Sequence, residues 1–337
     1  MTTTINQVTQ NHGSGGKIMH NFIESVIMER LKNGVLERMD DAAVLENIGT
    51  KRLAITTDSF VVKPLFFDGG DIGRLAVCGT VNDLATSGAK PHALTLSFIL
   101  EEGVELSTIE RIVDSIAQTA KEADVRIVTG DTKVVERGKG DQIYINTCGI
   151  GFIDDDVNIS TYNAQEGDLV MINGPIGNHE MALLKARKLF DFEAEIKSDA
   201  APLNPQVEAL LKETNDIHVI KDPTRGGLSS ALWEICQHSE VSIQIEEEEL
   251  PIDANVATLS ELVGYDPLHL SNEGKFILIV PPKSQKAVER AMGKETKVIG
   301  RVIQESKDKD PILSLYTKTG GLRRVGMLET TMLPRIC

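Results

Sequence analysis

The chain has 337 residues, of which 41% are apolar and 25% are charged, and its formal net charge is −15. This length allows two domains with separate cores, and the composition is that of a soluble globular protein. The negative charge argues against nucleic acid or an anionic membrane as a partner, although a divalent metal would allow a polyphosphate to bind. No signal peptide or membrane-spanning apolar run is visible, so we expect a cytoplasmic protein.

A glycine-rich segment at residues 12–16 precedes Lys17 and a predicted amphipathic helix over residues 18–31. The backbone N–H groups of such a loop, together with a helix N-terminus, can hold phosphate oxygens. The spacing matches neither the P-loop nor the dinucleotide-binding fingerprint. A flexible N-terminal arm is therefore an equal alternative for this segment.

The remainder of the first half has the pattern of strands and one clear helix. Residues 107–122 carry apolar side chains at helical spacing, and Ser107 with Glu110 predicts a capping box at the start of this helix. The apolar runs that predict strands are residues 53–57, 93–100, 127–129 and 143–152.

Aspartates stand where we expect these strands to end. Several carboxylates that meet in one place repel one another unless a cation holds them, and Mg²⁺ prefers such hard oxygen ligands. The alternative is that each aspartate only makes a turn or caps an element. The candidate Mg²⁺ ligands are Asp41 (beside Asp40), Asp58, Asp83 and Asp131.

The second half starts after a polar, turn-rich stretch at residues 154–168, where we place a domain boundary. Strands and helices recur beyond it, which predicts an α/β (mixed α+β) fold with two domains. The predicted strands are residues 169–172 and 276–280, and the predicted helices are residues 180–189 and 228–238. The predicted domains are residues 1–155 and 156–330, followed by a mobile tail at residues 331–337.

Two loops of the second half carry groups that suit a phosphate or a proton transfer. Residues 222–227 lead into a helix, with paired glycines that allow close backbone approach and with Arg225, whose planar fork suits phosphate or carboxylate. Residues 272–275 place Glu273 and an amine beside a tight turn. By itself, the second loop is an ordinary turn.

The last residue, Cys337, is one of four scattered cysteines that lack the spacing of a zinc or redox site. A thiol is the best nucleophile among the side chains, and a chain end can move between two places. Its position does not fit a prenylation signal, which needs a cysteine four residues from the end. The sequence therefore suggests a tethered reactive arm, with a chance terminal cysteine as the alternative.

Together these segments resemble the HypE family of carbamoyl dehydratases, in the PurM-like superfamily typified by aminoimidazole ribonucleotide synthetase. The terminal Pro-Arg-Ile-Cys is the most specific feature, because the sibling families lack it. Residues 177–180 depart from the family pattern: they are Gly-Asn-His-Glu where Gly-Asp-His-Gly is more frequent, and we assign them no role. The segments that carry the resemblance are residues 12–16, 64–67, 128–135, 222–227, 272–275 and 334–337.

The resemblance implies a homodimer in which the N-terminal domains pair their sheets, with a nucleotide site in the cleft beside that pairing. It implies that a carbamoyltransferase of the HypF type loads Cys337. The chain then uses ATP with Mg²⁺ to convert the thiocarbamate, S–C(=O)–NH₂, into a thiocyanate, S–C≡N. The cyanide passes to iron held by the HypC–HypD proteins, for a nickel–iron hydrogenase.

The resemblance also implies roles for individual residues. Cys337 carries the substrate, Lys133 is the candidate cation near the transferring oxygen, and Glu273 is the candidate base. The alternatives are that Lys133 is a surface residue and Glu273 only a turn residue. The candidate nucleotide-binding residues are Gly13, Ser14, Gly15, Gly16, Lys17, Asp41, Asp58, Asn82, Asp83, Asp131, Thr132, Arg225 and Gly226.

Two other hypotheses use the same residues. A sibling synthetase or kinase would act on a free small molecule; selenophosphate synthetase would need a reactive residue near the glycine-rich segment, and no cysteine precedes Cys78. A non-catalytic carrier would move a carbamoyl or cyano group on the thiol, while the nucleotide only gates the tail.

Overall fold

The N-terminal domain is built on a five-stranded sheet. The computed structural model describes residues 16–22, 24, 38, 43–45, 52–188, 192–305, 310–330 and 332–337. The elements of this domain are α1 (Lys17–Phe22), β1 (Ala43–Leu45), β2 (Arg52–Phe60), β3 (Phe66–Phe67), β4 (Gly70–Asp71), α2 (Ile72–Thr86), β5 (Lys90–Glu101), α3 (Leu106–Glu122), β6 (Arg126–Val135) and β7 (Ile143–Ile153).

The strand order of this sheet is β1-β2-β7-β5-β6, and β3 pairs with β4 in a separate ribbon. Strands β5 and β6 are parallel and are joined through α3, whereas the other neighbours in the sheet are antiparallel. This arrangement leaves β6 at one edge of the sheet, with most of its residues exposed.

Helix α2 is the central element between the two domains. The Asp71 carboxylate caps its first turn, accepting hydrogen bonds from the backbone N–H groups of Gly73 at 2.7 Å and Arg74 at 3.1 Å. Thirteen of its fifteen residues are buried. A helix that is covered on every side has no amphipathic period, which is why the sequence pattern did not predict it.

The C-terminal domain contains a seven-stranded sheet in the order β14-β13-β10-β12-β8-β11-β9. The inner strands β8 and β11 and the edge strand β9 are buried along their whole length, as expected for strands covered on both faces. The elements are β8 (Leu169–Ile172), α4 (Asn178–Ala186), α5 (Asn204–Glu213), β9 (Val219–Lys221), α6 (Gly227–Ser239), β10 (Val241–Glu246), α7 (Ala254–Val263), β11 (Ile277–Val280), α8 (Gln285–Met292), β12 (Lys297–Glu305), β13 (Leu313–Tyr316) and β14 (Leu322–Val325).

The two domains share apolar core clusters and polar contacts through α2. The Arg74 Nε donates to the Ala200 carbonyl at 2.7 Å, and the Asn82 side chain donates to the Ala201 carbonyl at 3.0 Å. One apolar cluster joins α2 to α4 and also includes Leu333 and Ile336 of the C-terminal tail. The interface between the domains is therefore both packed and hydrogen-bonded.

The predicted elements are largely confirmed, with bounds that move by a few residues. The capping box is wrong, because Glu105 rather than Ser107 stands at the N-cap of α3 and makes no side-chain capping bond. The predicted strand ends are also wrong: Asp58 and Asp131 lie within β2 and β6, and Asp83 lies in α2.

The first sheet ends at Ile153 and the second begins at Leu169, so the boundary that we predict at residues 155/156 falls between them. Within the described part of the chain, no helix combines the length and the apolar character that a bilayer crossing requires. Of the helix predicted over residues 18–31, the structure describes helical residues as far as Phe22.

Candidate active site

Arg225 lies in an acid-rich cleft between the two domains. The pKa of its guanidinium is raised, first by the neighbouring Cys337 sulfur and then by the carboxyl groups of Asp58, Glu273 and Asp83. These groups come from β2, α2, the loop before β11 and the chain terminus. The fold therefore brings together four residues predicted from separate segments around a single arginine.

The loop that carries Arg225 owes its shape to two glycines. Gly226 and Gly227 both have positive φ angles, of 79° and 63°, which favour glycine strongly. A Cβ atom on Gly227 would lie 2.6 Å from the Leu270 carbonyl oxygen, so α6 begins against the neighbouring loop. This close contact fixes the backbone directly after Arg225.

Glu273 is buried in a turn that Asp199 holds. The Asp199 carboxylate accepts hydrogen bonds from the backbone N–H groups of Glu273 at 3.1 Å and Gly274 at 3.3 Å, and it pairs with the Lys275 ammonium at 3.1 Å. Burial raises the pKa of the Glu273 carboxyl well above its usual range, and nearby acids add to this effect while Arg225 opposes it. The Glu273 carboxyl therefore binds a proton more tightly than an ordinary glutamate does, which is the property of a stronger base.

Asp58 on β2 and Asp83 on α2 both lie where these two elements pack together. The Thr56 hydroxyl donates to the Asp83 carboxylate at 2.8 Å, and Thr56 and Asp58 lie on the same face of β2. Asp58 packs against Gly79 of α2, where an added Cβ would come within 3.1 Å of its oxygen. Burial raises the pKa of Asp58, and the charge of Arg225 opposes that rise.

The C-terminal tail lies in this cleft. It runs antiparallel to the segment after β2: the backbone N–H of Val61 donates to a terminal oxygen of Cys337 at 2.9 Å, and that of Lys63 donates to the Arg335 carbonyl at 3.3 Å. Burial raises the pKa of the Cys337 thiol to about 12, although Arg225 acts in the opposite direction. The thiol is therefore protonated at neutral pH in the position that the structure shows.

Asp131 and Lys133 lie apart from this cluster. They form an ion pair on β6, where their side chains are 60% and 68% exposed. Strand β6 is three strands away from β2, which is roughly 14 Å at the usual spacing of about 4.8 Å. Within one chain, therefore, the structure does not bring Asp131, Thr132 or Lys133 next to Asp58.

Other predicted nucleotide-binding residues have structural contacts. The Asn82 side chain accepts a hydrogen bond from the Leu203 N–H at 2.8 Å and donates to the second domain, so it ties the domains together. Gly16 and Lys17 lie beside Leu328, whose carbonyl would be 2.2 Å from a Cβ on Gly16. Gly13, Ser14, Gly15, Asp40 and Asp41 lie outside the described residues.

Two of the four predicted Mg²⁺ ligands, Asp58 and Asp83, are neighbours in the cleft. Among the described residues, no group of three or more His, Cys, Asp or Glu side chains has a geometry that could hold a metal ion. The oxygen donors that are present suit Mg²⁺, which commonly binds through one or two carboxylates and the phosphates of a substrate. Asp58 and Asp83 could therefore supply part of the coordination shell of a Mg²⁺ ion.

Sequence patterns missed Thr56 and Asp199, which position these groups. Asp199 lies in an irregular stretch between α4 and α5, and its carboxylate acts on a turn 74 residues further along the chain. Since no local spacing links the two segments, only the tertiary fold could identify it.

Comparison with known proteins shows the family. Residues 39–153 match the AIR synthase related protein, N-terminal domain, and residues 165–310 match the corresponding C-terminal domain. A protein of Bradyrhizobium diazoefficiens named carbamoyl dehydratase HypE is 43% identical, over 98% of this chain and 96% of its own length. The chain belongs to the HypE family. A putative hydrogenase expression/formation protein of Methanocaldococcus jannaschii is 44% identical, over 98% of this chain and all of its own length.

Solved HypE structures have the same fold. A crystal structure of the hydrogenase maturation protein HypE in complex with ATP is 42% identical, with a TM-score of 0.81 over 98% of this chain and all of that chain. A chain from a HypE–HypF complex is 44% identical, with a TM-score of 0.84 over 91% of this chain and 99% of that chain. The two-domain mixed α/β architecture predicted from the sequence is confirmed.

Proposed function

We propose that this chain is an ATP-dependent carbamoyl dehydratase whose substrate is its own C-terminal cysteine, and that it supplies cyanide for the maturation of nickel–iron hydrogenase. The observation that carries the proposal is the position of the Cys337 thiol, which lies partly buried beside Arg225 and near Glu273. A chain end without a function would not be expected to lie among these groups.

We propose that loading of the thiol takes place outside the cleft. Because the docked thiol has a pKa of about 12, it is ionised far less at pH 7 than a free cysteine, which has a pKa of about 8.5 and is a few per cent thiolate. The tail therefore leaves the cleft to accept a carbamoyl group and returns for dehydration. A HypF-type carbamoyltransferase is the proposed partner, in keeping with the complex formed by the related HypE.

The proposed reaction removes one water from the thiocarbamate. ATP supplies the phosphoryl group that makes the carbamoyl oxygen a leaving group, so S–C(=O)–NH₂ and ATP give S–C≡N, ADP and phosphate. Glu273 takes a proton from the nitrogen, because a carboxylate with a raised pKa is a stronger base once it is ionised. The positive charge of Arg225 offsets the negative charges of the surrounding carboxyls beside the docked tail.

We propose that Asp58 and Asp83, with Asp41, hold Mg²⁺ when the nucleotide binds. The metal supplies charge neutralisation for the phosphates. Asp131, Thr132 and Lys133 lie on the edge strand, so their proposed role requires a site that a second subunit completes. The HypC–HypD complex remains the proposed acceptor of the cyanide.

A homodimer paired through β6 is the proposed assembly. This ten-residue strand lies at the edge of its sheet, and Val128 and Val134 on it are 56% and 67% exposed. An exposed strand edge with apolar side chains is a surface on which another strand can pair. Pairing there would bury both valines and place Lys133 at the subunit boundary.

The proposed function is tested by replacing the terminal thiol. Cys337→Ala should abolish formation of the cyano product in the presence of Mg-ATP and a carbamoyl donor system, while leaving nucleotide binding intact. Cys148→Ala is the matched control, since Cys148 is a free, partly exposed cysteine on β7. Product formation by Cys337→Ala at the control rate would contradict the proposal and favour a dehydratase or kinase that acts on a free molecule.

A further inference from the structure

Three side chains of the C-terminal domain contact three backbone carbonyl groups of the docked tail, those of Met332, Arg335 and Ile336. The Tyr265 hydroxyl donates to the Met332 carbonyl at 2.9 Å, and the Arg187 Nη2 donates to the Arg335 carbonyl at 2.7 Å. His179 lies 2.7 Å from the Ile336 carbonyl through its Nε2. Because a carbonyl oxygen only accepts, the His179 Nε2 must carry the proton.

The second ring nitrogen of His179 fixes that tautomer. Nδ1 lies 2.8 Å from the Ser198 hydroxyl, which can donate to it when Nε2 holds the proton. Burial lowers the pKa of His179, so the ring is neutral and retains one donor and one acceptor. The histidine is thus oriented towards the tail by its own domain.

Arg187 joins the tail to the N-terminal domain as well. Its Nε donates to the Lys63 carbonyl at 2.8 Å, while Nη2 donates to the tail. The Lys63 N–H in turn donates to the same Arg335 carbonyl that Arg187 contacts. The guanidinium therefore closes a ring of hydrogen bonds between the tail and the segment that follows β2.

Side chains of the tail also contact the rest of the protein. Leu333 and Ile336 are 4% and 7% exposed in the apolar cluster around α2 and α4. Arg335 has a positive φ of 56°, an uncommon conformation for this residue, and its Nε donates to the Val61 carbonyl at 2.8 Å. Such backbone geometry persists where surrounding contacts determine it, and it concentrates at functional sites.

We propose that His179, Arg187 and Tyr265 form a docking clamp that recognises the tail through its backbone and positions Cys337 for the reaction. This inference rests on the proposed function and names the residues that bring the substrate to the site. None of the three contacts involves the sulfur atom, because each is made to a backbone carbonyl that precedes Cys337. The clamp also gives a role to His179, which lies in the segment 177–180 that the sequence left without one.

Glu180, next to His179, links the clamp to the loop that carries Glu273. Its buried carboxylate accepts a hydrogen bond from the Ser271 N–H at 2.9 Å, two residues before Glu273. The negative charge of Glu180 also acts to raise the pKa of Arg187 and of Tyr265. Helix α4 therefore contacts both the docked tail, through His179, and the loop that carries the candidate base, through Glu180.

The clamp is tested by alkylation of Cys337 with iodoacetamide, followed by mass spectrometry of the C-terminal peptide. The docked thiol is partly buried and its pKa is raised, so it reacts more slowly than the thiol of an undocked tail, and the rate rises with the undocked fraction. Tyr265→Phe removes one hydroxyl and should raise the rate about fivefold, and Arg187→Gln should raise it about tenfold or more. Cys148 in the same molecule is the internal reference, because general loosening would raise both rates.

Matched controls are Tyr316→Phe and Arg290→Gln, which alter an exposed tyrosine on β13 and an arginine on α8 that pairs with Glu213. Both should leave the Cys337 rate unchanged. Equal Cys337 rates in Tyr265→Phe, Arg187→Gln and their controls would overturn the clamp. So would an equal rise at Cys148. The assay needs neither ATP nor a partner, so its failure is distinct from failure of the proposed dehydration.

Discussion

The cleft around Arg225 and the edge strand β6 both carry acid–base pairs, but their environments differ. In the cleft, burial raises the pKa of Glu273, whereas on β6 the Lys133 ammonium lowers the pKa of an Asp131 that stays in water. Buried groups change their affinity for protons, and exposed pairs keep their ordinary charges. The cleft therefore holds groups whose affinity for protons is changed by burial, whereas the edge strand holds an exposed ion pair.

The largest difference between the two regions should appear at Glu273. Glu273→Gln removes the proposed base while keeping the size of the side chain, so the dehydration rate should fall by about 10²–10⁴-fold. The measurement is a single-turnover assay of water loss from carbamoylated protein. A rate equal to that of wild type would remove Glu273 from the reaction.

The same variant gives a stability test with a defined sign. In the folded state the pKa of Glu273 is raised, so the folded protein binds more protons than the unfolded chain above about pH 4.3. Wild-type stability is therefore lost as pH rises from that value towards the raised pKa. Glu273→Gln lacks this loss, so its stability relative to wild type should increase from pH 4 to pH 7, by at most about 1.4 kcal/mol per pH unit. Urea unfolding at a series of pH values measures it.

Arg225 tests whether the cleft depends on its cation. Arg225→Gln leaves the buried carboxyls without their opposing charge, so the free energy of unfolding should fall by about 3 kcal/mol. The control is Arg323→Gln, which removes an arginine that is 48% exposed and pairs with Asp266 at 2.9 Å. That change should cost less than about 1 kcal/mol. Equal losses in the two variants would show that the cleft is not an electrostatically coupled unit.

The smallest effect on stability should appear on β6. Lys133→Ala should leave the melting temperature unchanged, because its ion pair is exposed to solvent. It should lower the dehydration rate by at least about tenfold if it acts on the transferring oxygen. Lys139→Ala, in the turn after β6, is the control. Unchanged turnover in both variants would show that Lys133 is only a surface residue.

The sequence predicted regular elements better than it predicted the cleft. Strand β8 was placed to the residue, and α3 to within one residue, because each has a pattern that local packing determines. Helix α2 was missed because burial on all sides removes its period. The aspartates were assigned to strand ends, but the pattern could not show that Asp83 belongs to that helix.

The candidate site was predicted in part for a similar reason. Arg225, Glu273 and Cys337 stand in distinctive segments, and the fold brings them together. Lys133 and Asp131 were grouped with them, but strand order separates β6 from β2, and strand order is not encoded in local spacing. The clamp residues Arg187 and Tyr265 have no motif at all, since they contact backbone atoms of a distant segment.

The most direct measurement is the intact mass of the carbamoyl-loaded chain before and after Mg-ATP, with the modified site located in the last peptide. We expect one water to be lost from Cys337 at a rate independent of protein concentration, because the reacting group is tethered to the assembly that acts on it. An unchanged mass with purified, nucleotide-bound protein would contradict the proposed dehydration and leave the chain as a carrier of the carbamoyl group.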